Sequence, residues 1–229
     1  MTTPPREIVI VGDGEFAEIA YEYFTHDSPY DVVAFAVESA YREQDELFAL
    51  PVVDFEDVES RYDPERYGAF VAITYTRLNR VRKRLLAETR GKGYRPVSYV
   101  SSRAFVWHDV ELGDNCFVFE NNVVQYRVRV GENVVLWSGN HVGHRTVIGD
   151  DCFVSSHVVI SGYCKIGARS FLGVNSSFAD FVEVGEDTIV GAGAVVPKNL
   201  ERGRVWVGNP ARALDKTSFE AFAVPEEER

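Results

Sequence analysis

A glycine-rich turn near the N-terminus is the first stretch whose residue types and spacing point to chemistry. It reads Gly12-x-Gly14-x-x-Ala17 and directly follows the apolar run at residues 7–11. Glycine at the first two positions allows a tight strand-to-helix turn and lets a phosphate approach the backbone, while alanine at the third still permits close helix packing. The turn therefore predicts a nucleotide-type ligand, with a plain structural turn as the alternative.

Further candidate contacts for this ligand follow the next apolar runs. Glu38 ends the second predicted strand, where a dinucleotide fold places its ribose-binding carboxylate. Hydroxyls such as that of Thr74, at a helix start, cap the helix or bind a phosphate. A basic cluster at residues 77–84 is either a solvated helix face or a source of ligand contacts. The predicted nucleotide-sugar contacts are Gly12, Asp13, Gly14, Phe16, Glu38, Thr74, Asn79 and Arg80.

The elements that would position these residues alternate between strand and helix patterns. Strands are predicted over residues 7–11, 31–37, 50–53, 69–74 and 96–100, and helices over residues 15–24 and 78–89. This alternation predicts a small parallel α/β domain over residues 1–100, about half a Rossmann unit. A domain of this size fits a mononucleotide, such as that of a nucleotide-activated sugar, better than a full dinucleotide with a second substrate.

A different pattern governs the stretch from Val106 to Val196, where every sixth residue is large and apolar. The residues four places after these, from Val110 to Ala194, are small or β-branched, except Asn122 and Asn140. Glycines also recur 18 residues apart from Gly113 to Gly185. Neither a helix nor a simple strand generates a period of six. Three hexads per coil predict a triangular parallel β-helix.

The polar and sulfur-containing residues at inward positions carry two further predictions. Asn122 and Asn140 fall one coil apart, so we expect them to hydrogen-bond to each other, because an inward amide without a partner costs about 1–3 kcal/mol. The cysteines Cys116, Cys152 and Cys164 share one inward phase and are interpreted as buried small apolar residues, rather than as disulfide partners or metal ligands.

Composition excludes several classes of partner. The chain of 229 residues has a net charge of −11, which argues against a nucleic-acid partner and requires a local basic site for any anionic ligand. No apolar run is long enough for a membrane span, and the polar N-terminus does not resemble a signal peptide. A cytoplasmic protein is expected.

The whole chain resembles one family, the bacterial sugar acyltransferases that join a Rossmann-like domain to a left-handed β-helix. The sialic-acid O-acetyltransferases and the UDP-bacillosamine-type N-acetyltransferases belong to it. The resemblance covers residues 7–214 and rests on the repeats and on residues 8–17, 139–144, 191–196 and 208–211. It implies a left-handed coil over residues 101–214, a homotrimer, and acetyl-CoA in the groove between neighbouring coils, beside a nucleotide-linked amino sugar. Residues 215–229 are expected to form a frayed tail or to lie on a neighbouring subunit.

The resemblance also implies roles for individual residues. His144 matches the family's catalytic histidine, and His141 is a candidate to assist it or bind substrate. A nucleophile that attacks a thioester must lose a proton, and a neutral imidazole accepts one near pH 7. The resemblance places the pantetheine of CoA against small residues and its phosphates near a lysine. The implied CoA contacts are Ser161, Gly162, Asn175, Ala179, Ala192 and Lys198.

Three positions depart from the pattern of the bacillosamine-type members. Arg145 stands where an aspartate usually follows the histidine, Phe153 replaces a second histidine, and Trp137 replaces an asparagine. We expect Trp137 and Phe153 to reshape the pocket for another sugar or a longer acyl chain. The departures leave open the nucleotide, the sugar and the acyl group.

The leading hypothesis is CoA-dependent acyl transfer, most simply of acetyl, to the amino group of a nucleotide-linked sugar. Transfer to a sugar hydroxyl is the second, because the same base and groove serve either nucleophile. A non-catalytic scaffold that binds nucleotide-sugars is a third. A γ-type carbonic anhydrase would need three convergent histidines, which the spacing of His141 and His144 does not supply, so no metal is expected.

Overall fold

The computed structural model describes residues 5–229 and divides into two compact units. The first comprises residues 5–74 and 82–99, and the second comprises residues 75–81 and 100–229. The sequence predicted residues 75–81 as part of the N-terminal domain, whereas the structure packs them with the second unit.

The first unit contains a six-stranded sheet in the order β3-β4-β2-β1-β5-β6. Neighbouring strands are parallel, except that β3 and β4 form an antiparallel hairpin. In the central strand the residues from Ile8 to Val11 are all buried, as is typical of a parallel strand covered on both faces. The strands are β1 (Glu7–Val11), β2 (Asp31–Val37), β3 (Glu46–Leu47), β4 (Leu50–Asp54), β5 (Gly68–Val71) and β6 (Arg95–Pro96).

Helices accompany this sheet along the chain. They are α1 (Glu15–Asp27), α2 (Val58–Arg61) and α3 (Arg80–Gly91), with 3₁₀ turns at Ser39–Tyr41 and Phe55–Asp57. The helical spacing of Phe16, Ala20 and Phe24 predicts the buried face of α1, and all three are buried. The predicted strand at residues 96–100 is instead two short strands, β6 and β7 (Tyr99–Val100).

The second unit is a left-handed parallel β-helix with three faces, as the resemblance implied. Its strands are short, and each pairs with the strand one full coil further along the chain, as in Phe117 with Val135. Face 1 contains β10 (Phe117–Val118), β13 (Val135–Leu136), β16 (Phe153–Val154), β19 (Phe171–Leu172), β22 (Ile189–Val190) and the longer β24 (Arg204–Val207). Face 2 contains β8 (Phe105–Val106), β11 (Val123–Val124), β14 (His141–Val142), β17 (Val159–Ile160), β20 (Ser177–Phe178) and β23 (Val195–Val196). Face 3 contains β9 (Glu111–Leu112), β12 (Arg129–Val130), β15 (Val147–Ile148), β18 (Lys165–Ile166) and β21 (Glu183–Val184).

The hexad prediction is confirmed residue by residue. The second residue of every strand from β8 to β23 is the predicted large apolar one, and these side chains form or line the single core cluster of the coil. The three cysteines are buried in the core of the coil, as predicted. A repeated apolar position every six residues therefore becomes one continuous core.

The glycines that recur once in every coil are required by space. They begin the corner between faces 3 and 1, where the next coil passes close by. A Cβ on Gly113 would lie 2.6 Å from the backbone nitrogen of Glu132, and one on Gly167 would lie 2.5 Å from that of Glu186. Both contacts are far below van der Waals distance, so larger residues cannot occupy these positions.

The expected ladder between Asn122 and Asn140 is wrong. The amide nitrogen of Asn122 donates instead to the backbone carbonyls of Phe119 and Trp137, at 2.9 and 2.8 Å. The amide oxygen of Asn140 accepts the backbone N–H of Val158 at 2.7 Å. Each side chain thus ties its own turn to the next coil, because inward amides lie nearer to turn carbonyls than to each other.

A polar ladder does exist at the corner between faces 3 and 1, which we call the ladder edge (residues 115, 133, 151, 169 and 187). Asn115 donates to Asn133 and Asn133 donates to Asp151, both at 2.8 Å. Further along the coil Arg169 pairs with the fully buried Asp187, also at 2.8 Å. Each member lies one coil beyond the last, so the ladder stitches consecutive coils together.

The tail folds back onto its own unit, so the expectation of a frayed tail is wrong. It continues with the antiparallel strand β25 (Arg212–Thr217), which pairs with β24, the short helix α4 (Ser218–Ala221) and a 3₁₀ turn at Glu226–Glu228. Val224 is buried with Leu78, Ile189 and Val205, and Phe222 packs against them. Apolar side chains in the tail therefore cover part of face 1.

Segment 75–81 covers another part of face 1. The ring of Tyr75 lies 5.0 Å from those of both Phe153 and Phe171, edge to face. Arg80 is buried and pairs with Asp187 at 2.8 Å. Asp187 also accepts from Arg202 at 3.3 Å, so three guanidinium groups surround one buried carboxylate.

Candidate functional site

The glycine turn of the first unit has the geometry that its sequence predicts. Gly12 has φ +117°, and a Cβ there would lie 3.0 Å from the carbonyl oxygen of Ala72. Gly14 precedes α1 in an extended conformation, and no side chain caps the helix. Space is open where a Cβ of Gly14 would lie. The first amides of α1 thus have no side-chain acceptor and suit a phosphate.

The other predicted contacts in the first unit are placed differently from one another. Asp13 is half-buried within the turn, and Thr74 is half-buried after β5. The side chain of Phe16 is in the core, with its ring 6.3 Å from that of Phe70. Only the backbone amide of Phe16 is therefore oriented by the turn. Glu38 holds Arg84 through two hydrogen bonds of 3.0 and 2.9 Å. A second lone pair on each Glu38 oxygen is left for a ribose hydroxyl.

Asn79 and Arg80 have contacts within the second unit. Both side chains are buried. The guanidinium of Arg80 binds Asp187 and the backbone carbonyl of Glu228, the latter at 2.5 Å. These contacts hold segment 75–81 on the coil, a structural use that sequence reasoning did not anticipate.

His144 lies at the corner between faces 2 and 3, which we call the histidine edge (residues 125–128, 143–146, 161–164, 179–182 and 197–200). Its side chain is exposed in the single chain. Its backbone N–H donates to the side-chain oxygen of Gln125 at 3.0 Å, and its ring stands edge-on to Tyr163 at 5.2 Å. The imidazole is thus presented outward from a fixed corner.

The absence of a side chain at Gly162 makes room for that imidazole. A Cβ on Gly162 would lie 2.6 Å from Cε1 and 2.9 Å from Nε2 of His144. The backbone N–H of Gly162 donates to Asp180 at 2.8 Å. One glycine therefore lies between the exposed imidazole and a fixed carboxylate.

The other two histidines of this region are positioned differently. His141 is half-buried on face 2, in register with Val123 and Val159. His157 is exposed at the corner between faces 1 and 2, where its ring covers Gly139. Of these two histidines, only His141 lies on a strand that directly precedes the histidine edge.

The residues that the resemblance implies for CoA divide between two corners. Ser161, Gly162, Ala179 and Lys198 share the histidine edge, at the first or second position of successive corners. Asn175 and Ala192 lie instead at the corner between faces 1 and 2, and both are exposed. The structure thus brings four of the six together with His144 along one line.

The three residues that depart from the family pattern lie in different places on the coil. Phe153 is 4% exposed and stacks on Phe171 at 5.7 Å, and Trp137 packs 4.2 Å from Phe119 and 5.9 Å from Phe153. The expectation that Phe153 reshapes the pocket is therefore wrong: it belongs to the covered aromatic layer of face 1. Arg145, by contrast, is exposed at the histidine edge.

Sequence reasoning missed several exposed residues of the histidine edge. Tyr126 and Asp180 occupy the same place as His144 in other coils, so the repeat itself was the available signal. The next column has left-handed φ angles, including 60° at Arg145, 60° at Tyr163 and 64° at Phe181. Bulky residues are uncommon in this conformation.

Two further searches of residues 5–229 gave negative results. No group of three or more histidine, cysteine, aspartate or glutamate side chains in that range is arranged to hold a metal ion. No helix in the same range is long and apolar enough to cross a membrane.

Comparison with protein-family models identifies the repeats of the coil. Residues 127–162 and 163–198 match the bacterial transferase hexapeptide (six repeats) model. This part of the chain therefore carries the repeats of the bacterial hexapeptide transferases. The matched residues include His144 and most of the histidine edge. A comparison with curated protein sequences found no match.

Solved structures resemble this chain along nearly its whole length. A mutant of perosamine N-acetyltransferase from Caulobacter crescentus, in complex with CoA and GDP-perosamine, is 26% identical with a TM-score of 0.83, covering 92% of this chain and 97% of the other. The acetyltransferase domain of PglB from Neisseria gonorrhoeae is 23% identical with a TM-score of 0.82, covering 91% of this chain and all of that domain. WeeI from Acinetobacter baumannii is 21% identical with a TM-score of 0.70, covering 91% of this chain and all of WeeI. Both units of the chain are therefore similar in fold to those of sugar N-acetyltransferases.

Proposed function

We propose that this protein is an acyltransferase that moves an acetyl group from acetyl-CoA to the amino group of a nucleotide-linked amino sugar. The observation that carries the proposal is the 26% identity, over both units, to a perosamine N-acetyltransferase whose structure contains CoA and GDP-perosamine. The exposed imidazole of His144, set over a glycine on the hexapeptide coil, is the matching feature of this chain.

The proposed chemistry needs one proton acceptor and one leaving group. The amine lone pair attacks the thioester carbonyl carbon, the C–S bond breaks, and the CoA sulfur leaves as a thiolate. His144 takes the proton that the attacking nitrogen loses, and that proton is then available to the thiolate. Gly162 leaves space on the coil side of the ring, which keeps the outer side free for the acceptor.

The developing oxyanion needs donors near the imidazole. Two backbone amides of the histidine edge are candidates, those of His144 itself and of Gly162, against which the imidazole lies. Gln125 and Asp180 accept from them, at 3.0 and 2.8 Å. These two side chains must turn away before either amide serves the oxyanion, so binding of the thioester is coupled to their rotation.

The nucleotide is proposed to bind at the turn formed by Gly12, Asp13 and Gly14. The uncapped start of α1 supplies backbone N–H groups for a phosphate. Glu38, oriented by Arg84, would accept a ribose hydroxyl. Two acidic residues in the first turn of the helix, Glu15 and Glu18, oppose an anion there, so the backbone contacts must outweigh them.

A homotrimer is proposed because the histidine edge is open in the single chain. Face 1 is covered by the chain's own tail and by segment 75–81, whereas face 2 presents uncovered apolar residues. Among these, Phe105 is 53% exposed and Val159 is 44% exposed. A neighbouring coil against face 2 would bury them and wall the edge beside His144. Light scattering on the purified protein would show three chains per particle.

The decisive experiment is thiol release from acetyl-CoA with a panel of UDP-, dTDP- and GDP-linked amino sugars. With the best acceptor, His144→Ala should lower kcat by about 10²–10⁴-fold, since that is the range that a positioned general base contributes. The KM values should change little, because the substitution removes an exposed group without disturbing the coil.

His157→Ala is the matched control. It removes another exposed histidine from a corner of the same coil and should leave kcat within about twofold, since an exposed residue that touches no substrate contributes little. If no amino sugar is acetylated by the unmodified protein, or if His144→Ala turns over as fast as the control, the proposed function is wrong.

A further inference from the structure

Cationic and aromatic side chains form a column on the histidine edge. The guanidinium of Arg127 lies over the ring of Tyr126, 5.0 Å from its centroid. The guanidinium of Arg145 lies 5.5 Å from the centroid of Tyr126 and 5.8 Å from that of Tyr163. Tyr163 then stacks on Phe181, with 5.0 Å between centroids. Two positive charges thus share one tyrosine ring at an exposed corner.

Neither of these arginines forms an ion pair with any carboxylate in the described part of the chain. Asp109 accepts the backbone N–H of Arg127 at 2.9 Å and does not pair with its guanidinium. Acidic residues outnumber basic ones by 35 to 24, so the chain does not lack carboxylates. Elsewhere on the coil Arg80 and Arg169 share one buried carboxylate.

The unpaired charges adjoin the proposed base. The imidazole of His144 and the guanidinium of Arg145 both contact the ring of Tyr163, at 5.2 and 5.8 Å. The two groups therefore lie within the span of one sugar ring and its substituents. Each guanidinium lies over a tyrosine ring, and no carboxylate of the described residues takes up its N–H groups, which an oxyanion could therefore accept from.

We infer that Arg127 and Arg145 form a fork that binds an anionic group of the acceptor, a phosphate or a carboxylate, while its amine lies at His144. This inference rests on the proposed function, since it assigns the acceptor's charge at the same edge. An anion between the two guanidinium groups would offset their mutual repulsion. The fork would also provide the local positive charge that an acidic chain needs in order to attract an anionic substrate.

Binding of inorganic pyrophosphate and of glucuronate, measured by titration calorimetry, tests the fork without any turnover. Arg127→Asn/Arg145→Asn removes both charges, and asparagine suits the left-handed φ of 55° and 60° at these positions, so the corner is retained. We expect at least one of the two anions to bind at least tenfold more weakly to the double variant.

Arg129→Asn is the control, because Arg129 is an exposed arginine on the same coil but outside the column. It should change binding less than twofold. Equal weakening in the control, or no binding of either anion to the unmodified protein, overturns the fork. Because this assay needs no acceptor, it separates failure of the fork from failure of the proposed function.

Steady-state kinetics identifies the source of the anion. Arg145→Asn should raise the KM for a nucleotide-linked amino sugar at least tenfold and leave the KM for acetyl-CoA within twofold. An equal rise for acceptors with a neutral and a carboxylate-bearing sugar assigns the fork to the phosphate, and a larger rise for the second assigns it to the sugar carboxylate. A rise confined to acetyl-CoA would mean that the anion belongs to CoA and would contradict the inference.

Arg145→Lys refines the kinetic result. Lysine keeps the charge but has no planar edge for two parallel hydrogen bonds. Its KM for the acceptor should fall between those of the unmodified protein and Arg145→Asn. A lysine variant as impaired as the asparagine variant, with acetyl-CoA unaffected, supports two-point recognition by the guanidinium, and full recovery of KM supports attraction by charge alone.

Discussion

Two corners of the same coil use the same backbone conformation with opposite residue choices. At the ladder edge the left-handed positions hold Asn115, Asn133 and Asp151, residue types that tolerate positive φ, and all three are buried and hydrogen-bonded from coil to coil. At the histidine edge those positions hold Tyr163 and Phe181 among others, whose bulk makes positive φ cost of order 1–2 kcal/mol per residue. One edge is built to hold coils together, and the other accepts strain to display side chains.

The sharpest way to test the structural role of the ladder edge is Asp187→Asn. The substitution leaves Arg80 and Arg169 beside a neutral group, and removing one partner of a buried ion pair costs about 3–5 kcal/mol. Denaturant unfolding at pH 7 should show a loss of that size. Lys165→Ala, which removes one half of an exposed pair with Glu183, is the control and should cost no more than about 1 kcal/mol.

The same carboxylate predicts a pH dependence. Burial raises the pKa of Asp187, but hydrogen bonds and charge from Arg169 and Arg80 outweigh burial and hold the pKa below its ordinary value of 3.8. A group with a lowered pKa in the folded state stabilises above its unfolded pKa and loses that contribution as the pH falls through the folded pKa. The gap in stability between the unmodified protein and Asp187→Asn should therefore be full near pH 6 and shrink below about pH 4. A gap that is constant down to pH 2 would contradict this assignment.

At the histidine edge the corresponding test is Gly162→Ala. A Cβ there would lie 2.6 Å from the imidazole of His144, so the ring must move. A displacement of about 1 Å in a catalytic group costs up to about 10²-fold in rate. We expect kcat to fall about 10–100-fold with little change in melting temperature, because the exposed ring is free to turn outward.

Gly91→Ala is the matched control for that substitution. No atom lies within 4 Å of the position that its Cβ would take, so neither kcat nor stability should fall. Full activity in Gly162→Ala would mean that the imidazole does not work from its observed position over the glycine.

The fold was predictable from the sequence to the extent that it depends on repetition. A large apolar residue at every sixth position admits one regular solution, and Val124, Leu136 and Ile160 are buried where the hexads place them. The tail was not predictable in this way. Val224 and Phe222 follow no period, and they are buried because they happen to cover face 1.

The candidate site was predictable one residue at a time but not as an arrangement. His144 and the turn at Gly12 are recognisable from local spacing. Arg80 was assigned to a ligand because the basic cluster gives no hint of Asp187, which is far away in sequence and buried. The aromatic residues of the histidine edge were missed because no inward pattern marks them; only stepping by whole coils from His144 and its neighbours brings them together.

A reciprocal exchange between the two edges gives the finest comparison. Phe181→Asn places a tolerant residue at a left-handed position where the native side chain is 67% exposed. Relief of backbone strain, of order 1 kcal/mol, should roughly offset the lost stacking on Tyr163, about 0.5–1.5 kcal/mol, so stability should change by less than about 1 kcal/mol. Asn133→Phe, the reverse change at a buried position, breaks two ladder hydrogen bonds and overpacks the corner, and should cost about 3 kcal/mol or more. Denaturant unfolding curves of the two variants measure both changes in stability. If Phe181→Asn is as destabilising as Asn133→Phe, the aromatic residues of the histidine edge hold the coil or its assembly together. The contrast between a stabilising ladder edge and a histidine edge that displays side chains would then be wrong.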